Sequence, residues 1–137
     1  MALAIGLGLH YLLGRPFLLP LPYPFPVFAV VSTLALVLAI WAFVCFQIAR
    51  TPWEPSTTPC ALITKGPFRI SRNPAYLGAL AVMIAAAYWT RGALVFLTPL
   101  LFFIVMNWYL IPLEERKMEA CFGEEYLRYC RAVRRWL

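Results

Sequence analysis

From Val27 to Ala49 the chain runs 23 residues without a charge. A helix of that length, rising about 1.5 Å per residue, crosses a hydrocarbon core of ~30 Å. The rest of the composition agrees with a membrane setting. The 137 residues are 63% hydrophobic and 13% charged, with a mean hydropathy of +0.75, whereas a soluble domain is about half apolar and a quarter charged. The length suits one domain over residues 1–137.

Three further apolar segments are expected to span. Met1 to Leu19 forms one, kinked at Arg15-Pro16, because its first 14 residues alone would reach only about 21 Å. His10 within it reads as a satisfied or interfacial histidine. Pro16, Pro20, Pro22, Pro24 and Pro26 form a loop that a helix cannot cross, and Tyr23, Phe25 and Phe28 suit an interfacial aromatic belt. Asn73 to Trp89 is the third span. Ala93 to Leu113 is the fourth, with a kink expected at Pro99 and its exit near Pro112. Thr90-Arg91-Gly92 reads as a tight turn, so the last two spans form an antiparallel hairpin. Asn73 and Glu114 then emerge on the same side of the membrane.

After Glu114 the pattern changes. Met118, Phe122, Tyr126, Tyr129, Val133 and Trp136 recur every three or four residues and line one helical face. Arg128, Arg131 and Arg135 lie off it, which describes an amphipathic helix suited to a membrane surface. Gly123 inside it signals a bend or a close approach. The expected fold class is all-α and integral to the membrane: about four transmembrane helices (about 1–19, 27–49, 73–89 and 93–113), a loop over 50–72, and a C-terminal amphipathic helix within the tail 114–137.

Charge sets the orientation. Arg50, Lys65, Arg69 and Arg72 put four basic residues in the long loop, and Arg116, Lys117, Arg128, Arg131, Arg134 and Arg135 put six in the tail. The other side holds two, Arg15 and Arg91. Ten against two places the N-terminus, loop and tail in the cytoplasm. The net charge of +6 sits at the ends of apolar segments, where anionic headgroups are, so it does not point to nucleic acid. The chain has no Asp and one His. A Ser-His-Asp triad and a clustered His/carboxylate metal site are both out of reach. Gly6-Leu7-Gly8 lacks a preceding strand and is no dinucleotide loop. Cys45, Cys60, Cys121 and Cys130 lack zinc spacing and read as reduced structural thiols.

The most informative polar stretch runs from Pro59 to Gly78, PCALITKGPFRISRNPAYLG. It turns at Lys65-Gly66-Pro67. Asn73 is a favoured N-cap and Pro74 fits the first helical position, so a helix begins there. Its free N–H groups attract an anion, with Arg69 and Arg72 beside it. The plainer reading of these cations is that they are topology signals and headgroup anchors. Glu114 likewise has a plain reading, as a partner for Lys117 or Arg72. Glu115, Glu119, Glu124 and Glu125 read as solvated helix surface and salt-bridge partners.

GPFRISRNPAYLG followed, after a helical hairpin, by EERKMEACFGEEYLRY resembles the isoprenylcysteine carboxyl methyltransferase and phospholipid methyltransferase superfamily, especially its small bacterial members. The likeness covers roughly Thr51 to Leu137. It implies a cytosolic S-adenosylmethionine site closed over by the C-terminal segment, with a lipophilic acceptor entering from the bilayer. It also implies that backbone around Cys60, Ala61, Leu62 and Ile63 lines the nucleoside. Phe68 takes an aromatic position, Asn73-Pro74-Ala75-Tyr76 falls where many relatives have His-Pro-x-Tyr, and Glu114 falls on the cofactor-binding Glu of the Glu-Glu pair. The residue chemistry fits such a cofactor. The helix start at Asn73 with Arg69 or Arg72 suits its carboxylate, Glu114 suits its ammonium or ribose hydroxyls, and Tyr76 and Phe68 suit adenine or the sulfonium. Methyl transfer from a sulfonium needs mainly positioning and desolvation, so neither metal nor histidine is required. Two positions depart from the pattern. Asn73 cannot titrate as a His would, and Leu110 stands where the isoprenylcysteine enzymes carry a substrate-contacting Arg.

The expected function is thus methyl transfer from S-adenosylmethionine to a lipophilic membrane acceptor bearing a carboxylate or another small nucleophile. Methylation of an ethanolamine-type phospholipid is the neighbouring alternative. A non-catalytic membrane scaffold with a basic, lipid-binding tail is the alternative of another class.

Overall fold

The computed structural model of the chain describes Gly8, residues 20–51 and residues 61–137. Apart from Gly8, the span expected over Met1 to Leu19, with His10, lies outside the described residues, as does Cys60. The described residues form helices and turns, with no β-strand among them.

Helix α1 runs Pro24–Ile48, 25 residues, or about 37 Å. It starts three residues earlier than Val27. Tyr23 takes a left-handed conformation (φ 43), and Pro24 occupies the first turn, where a missing N–H costs nothing. Pro24 and Pro26 therefore open the helix instead of excluding it. Only Ala35 and Ala42 are buried along it, while Leu34, Leu36 and Val37 are each more than half exposed. A helix apolar all round with so little protein about it is suited to lipid.

Helix α2, Pro74–Thr90, is 17 residues long and lies antiparallel to α1. At one end Tyr88 donates to the Pro22 carbonyl (2.8 Å) and Trp89 stacks on Phe28 with centroids 4.8 Å apart. Midway, Gly78 lets the backbones close: a Cβ there would sit 3.2 Å from the Ala35 carbonyl oxygen. At the far end Gly66 (φ 61) fits beneath Trp41 and Cys45. There it opens the expected turn as a 3-10 segment, Gly66–Arg69. Thr90-Arg91-Gly92 also turns as expected, with Arg91 rather than Gly92 in the left-handed region.

The next element departs from the expected layout. A 3-10 turn (Ala93–Phe96), helix α3 (Leu97–Val105), a π-turn (Met106–Leu110) and helix α4 (Ile111–Ala132) follow without interruption. The fourth span thus runs without interruption into the first part of the tail, as far as Gly123. Pro99 falls in the first turn of α3, where a missing N–H costs nothing, and Thr98 donates its hydroxyl to the Val95 carbonyl (2.8 Å). The irregularity sits instead at the π-turn just ahead of Pro112. Widening there accommodates a ring that cannot donate to the preceding turn.

Gly123 (φ 51, ψ −127) breaks α4. Beyond it the chain doubles back, and Arg135 reaches Glu115, twenty residues earlier. The tail's apolar face therefore does not lie along a membrane surface. Met118, Phe122, Tyr126, Tyr129 and Val133 pack with Ala42 and Phe68. Tyr129 donates to the Phe68 carbonyl (2.7 Å), the polar partner a buried tyrosine needs. Two helices among the described residues, Pro24–Ile48 and Ala93–Ala132, are long and apolar enough to cross a membrane; Pro74–Thr90 is apolar but shorter. The expected count of four spans is not reached within them.

Candidate functional site

A cavity of about 480 Å³ opens where α1, the Ala61–Asn73 loop, the start of α2 and the first turns of α4 meet. That volume lies in the ~300–1,000 Å³ range of small-molecule sites. Ala61, Leu62, Ile63, Phe68, Arg72, Asn73, Pro74, Ala75, Tyr76 and Glu114 all line it. Residues from two separated stretches are thus brought together by the α2–α3 hairpin. Cys60 lies outside the described residues. Arg69 is exposed and does not line the cavity: the 3-10 turn buries Pro67 and Phe68 and leaves Arg69 on the outer side.

The two adjacent glutamates divide their work. Tyr76 donates its hydroxyl to Glu114 (2.6 Å). Burial pushes the Glu114 carboxyl above its ordinary range, opposed by the Tyr76 hydrogen bond and the Lys117 charge. Glu115 instead takes two guanidinia, Arg72 (3.1 Å) and Arg135. It is the salt-bridge partner expected, but half-buried and not on a solvated surface. The pairing of Glu114 with Arg72 also gives way, because Arg72 is committed to Glu115 and to the Cys130 sulfur. One donor of Arg72, Nε, is buried without a partner among the described residues.

Asn73 stands just before α2, as expected, but its side chain does not cap the helix. It donates to the Arg135 carbonyl (3.1 Å), while its own backbone N–H donates to the Ser71 hydroxyl (3.1 Å). A tertiary acceptor has displaced the local capping preference. Leu110, at the position of a family arginine, lies in the π-turn and does not line the cavity.

The sequence reading missed several participants. Phe46 and Ala42 reach the cavity from α1, and Tyr126 and Tyr129 from the returning tail. The tyrosines carried a signal, their place on the tail's apolar face. Burial raises both phenol pKa values well above the ordinary range, so they remain neutral donors. Arg135 carried no signal, since it lies off that face. No group of three or more His, Cys, Asp or Glu able to hold a metal ion occurs among the described residues.

Comparison with known proteins gives two findings. The sequence pattern of a family described as phospholipid methyltransferase matches residues 27–125. An uncharacterized protein of Haemophilus influenzae is 40% identical over 62 residues, covering 45% of this chain and 98% of that protein. No solved structure gives a significant match.

Proposed function

The chain belongs to the phospholipid methyltransferase family, and from that premise we propose that it transfers a methyl group from S-adenosylmethionine to a lipophilic acceptor in the membrane. The observation that carries this reading is the meeting of the loop residues Phe68 to Tyr76 with Glu114 around one cavity. That cavity has the Glu114 carboxylate and the Arg72 side chain in its wall.

The residues fit the cofactor's charges. Glu114 would hold its ammonium, because a desolvated carboxylate gains most from an opposite charge. The Arg72 guanidinium, in the same wall, would attract its carboxylate. The wall formed by Phe68, Tyr126 and Tyr129 with Ala61, Leu62 and Ile63 would hold the nucleoside. When bound, S-adenosylmethionine supplies a sulfonium methyl that is already a good electrophile. The chain's contribution is to orient the two reactants and to exclude water with apolar walls. In the proposed membrane arrangement, Met1 to Leu19 completes four spans, and the N-terminus, the 50–72 loop and the tail face the cytoplasm.

The family's description favours a phospholipid amine as the acceptor. An amine must lose a proton before attack, so its rate rises through the amine pKa. A carboxylate acceptor stays ionised above about pH 5 and gives a flat profile. The primary test is calorimetric binding of S-adenosylmethionine to the detergent-purified protein with lipid present. Glu114→Ala should weaken binding at least about tenfold, or about 1.4 kcal/mol. Folded wild type that binds no cofactor would overturn the proposal and leave the scaffold reading.

A further inference from the structure

We infer that Arg135 is a positioning residue for this site: it clasps the returning C-terminal segment to the π-turn and, through that clasp, sets Arg72 and Asn73 in the cavity wall. Arg135 does not itself line the cavity. The inference rests on the cofactor reading for its functional meaning, but not for its geometry.

The socket is built into the backbone. In a regular helix the Asn107 carbonyl would accept from the Ile111 N–H. In the π-turn, Ile111 donates to Met106 instead. The next donor in a π pattern belongs to residue 112, which is a proline and has none. The Asn107 carbonyl is thereby left open, and Arg135 Nη1 fills it (3.1 Å). The Asn107 side-chain oxygen accepts from Arg135 Nη1 (3.3 Å) and from Trp136 Nε1 (3.1 Å). The Trp136 ring packs on Phe103 with centroids 5.2 Å apart.

The other donors of Arg135 act on the cavity. Nε and Nη2 grip the two oxygens of Glu115, in the paired fork geometry that gives arginine its directional hold. Glu115 is the same carboxylate that orients Arg72 (3.1 Å). With Glu115 fixed and Cys130 taking a second contact, the Arg72 guanidinium is held in the cavity wall. The backbone carbonyl of Arg135 also accepts from Asn73 Nδ2 (3.1 Å) and from the Ser71 hydroxyl (3.2 Å). One residue thus holds two adjacent cavity residues by two routes, its side chain acting on Arg72 through Glu115 and its carbonyl on Asn73.

Cys130 reports the clasp without any ligand, because its sulfur is tied to Arg72. Cys45 serves as a control, since it packs against Gly66 on α1. The experiment is peptide-resolved labelling of the full-length protein with N-ethylmaleimide, in detergent with lipid, beside S-adenosylmethionine binding. Arg135→Ala should speed Cys130 labelling about tenfold, as expected for opening of one local segment, and leave Cys45 at the wild-type rate. It should also weaken cofactor binding about tenfold. Arg135→Lys keeps the charge but loses the fork, and should fall between the two.

Cys130 labelling unchanged in Arg135→Ala would overturn the clasp. Cys45 accelerating in step with Cys130 would also overturn it, by reducing Arg135 to a general stability residue. Wild-type cofactor affinity in Arg135→Ala would overturn the positioning role. Wild type that labels as described but binds no cofactor would defeat the methyltransferase proposal and the positioning role together, while showing that the clasp itself is real.

Discussion

From the Trp89 end to the middle of α1, α1 and α2 are joined by ring faces and small side chains; at the Glu114 end, the chain is joined by charges. Phe28 stacks on Trp89 and Gly78 lies against the Ala35 backbone. Apolar helices in lipid gain nothing from leaving the hydrocarbon, so close packing has to hold them together. The polar end instead uses Arg72, Glu115, Arg135 and Asn107 in directional, charge-assisted bonds. Packing tolerates small shifts of a helix, whereas a fork between a guanidinium and a carboxylate does not. The region proposed to hold the cofactor is built in the second way. Damage at one end should scale with volume, and at the other with charge left unpaired.

The largest effect should come from Glu115→Ala. It strands Arg72 and Arg135, whose side chains are 14% and 30% exposed. Breaking a buried ion pair costs about 3–5 kcal/mol, and the partial exposure of Arg135 puts this case near the lower end. Thermal unfolding in detergent should show the loss, and limited proteolysis should cut first beyond Gly123. An unchanged melting temperature would mean that the polar end is held by its apolar contacts after all. Gly78→Leu comes next, at about 1–3 kcal/mol from overpacking. It should lower the melting temperature while cofactor affinity stays within about twofold, or roughly 0.4 kcal/mol. Gly78→Ala should cost less, because the helix-propensity gain of about 1 kcal/mol offsets the tight 3.2 Å approach.

The same division governs how much could be read from the sequence. The turn at Gly66, the helix start at Pro74 and the bend at Gly123 were legible because each is a local demand on backbone angles. The meeting of the loop with Glu114 followed from the short turn at Thr90 to Gly92. Period three-and-four spacing in the tail announced a buried face, but spacing does not say what covers it. Lipid was the expectation, and Phe68 with Ala42 is the finding. The bonds of Glu115 and Arg135 were illegible because they exist only once the chain has doubled back at Gly123. Asn73 shows the converse: its capping preference was read correctly from propensity, then displaced by the Arg135 carbonyl.

A subtler effect lies in the pH dependence at Glu114. Burial raises its carboxyl pKa. The ligand-free fold therefore draws a stabilising contribution from this group that is complete below the ordinary carboxylate pKa and lost as pH rises through the raised one. A cationic ligand reverses the preference by favouring the ionised form. Cofactor affinity should rise with pH through the raised value, and binding within that window should release a proton. Calorimetry in buffers of different ionisation enthalpy measures the release, and Glu114→Gln should abolish it. Tyr76→Phe removes a hydrogen bond that lowers the Glu114 pKa, so the window should move further up. A downward move would show that the Tyr76 hydroxyl does not stabilise the carboxylate.

The smallest effect should come from an ion pair that looks strong by distance alone. Arg131 and Glu124 approach to 2.6 Å, but their side chains are 64% and 67% exposed. The Arg131 hydrogen bond and charge hold the Glu124 carboxyl below its ordinary range. The sign is that of a depressed acid: whatever stability the pair adds is present above the ordinary carboxylate pKa and lost as pH falls through the lowered one. Water competes for both partners and salt screens them, so Glu124→Gln should leave the melting temperature unchanged at neutral pH, in low salt and in high. Glu115→Ala, on the same helix and also facing arginine, should be rescued by salt far less, because its partners are mostly buried and so weakly screened. If the two variants behaved alike, burial would not be what separates them, and the contrast between the packed and the charged end would fail at its sharpest point.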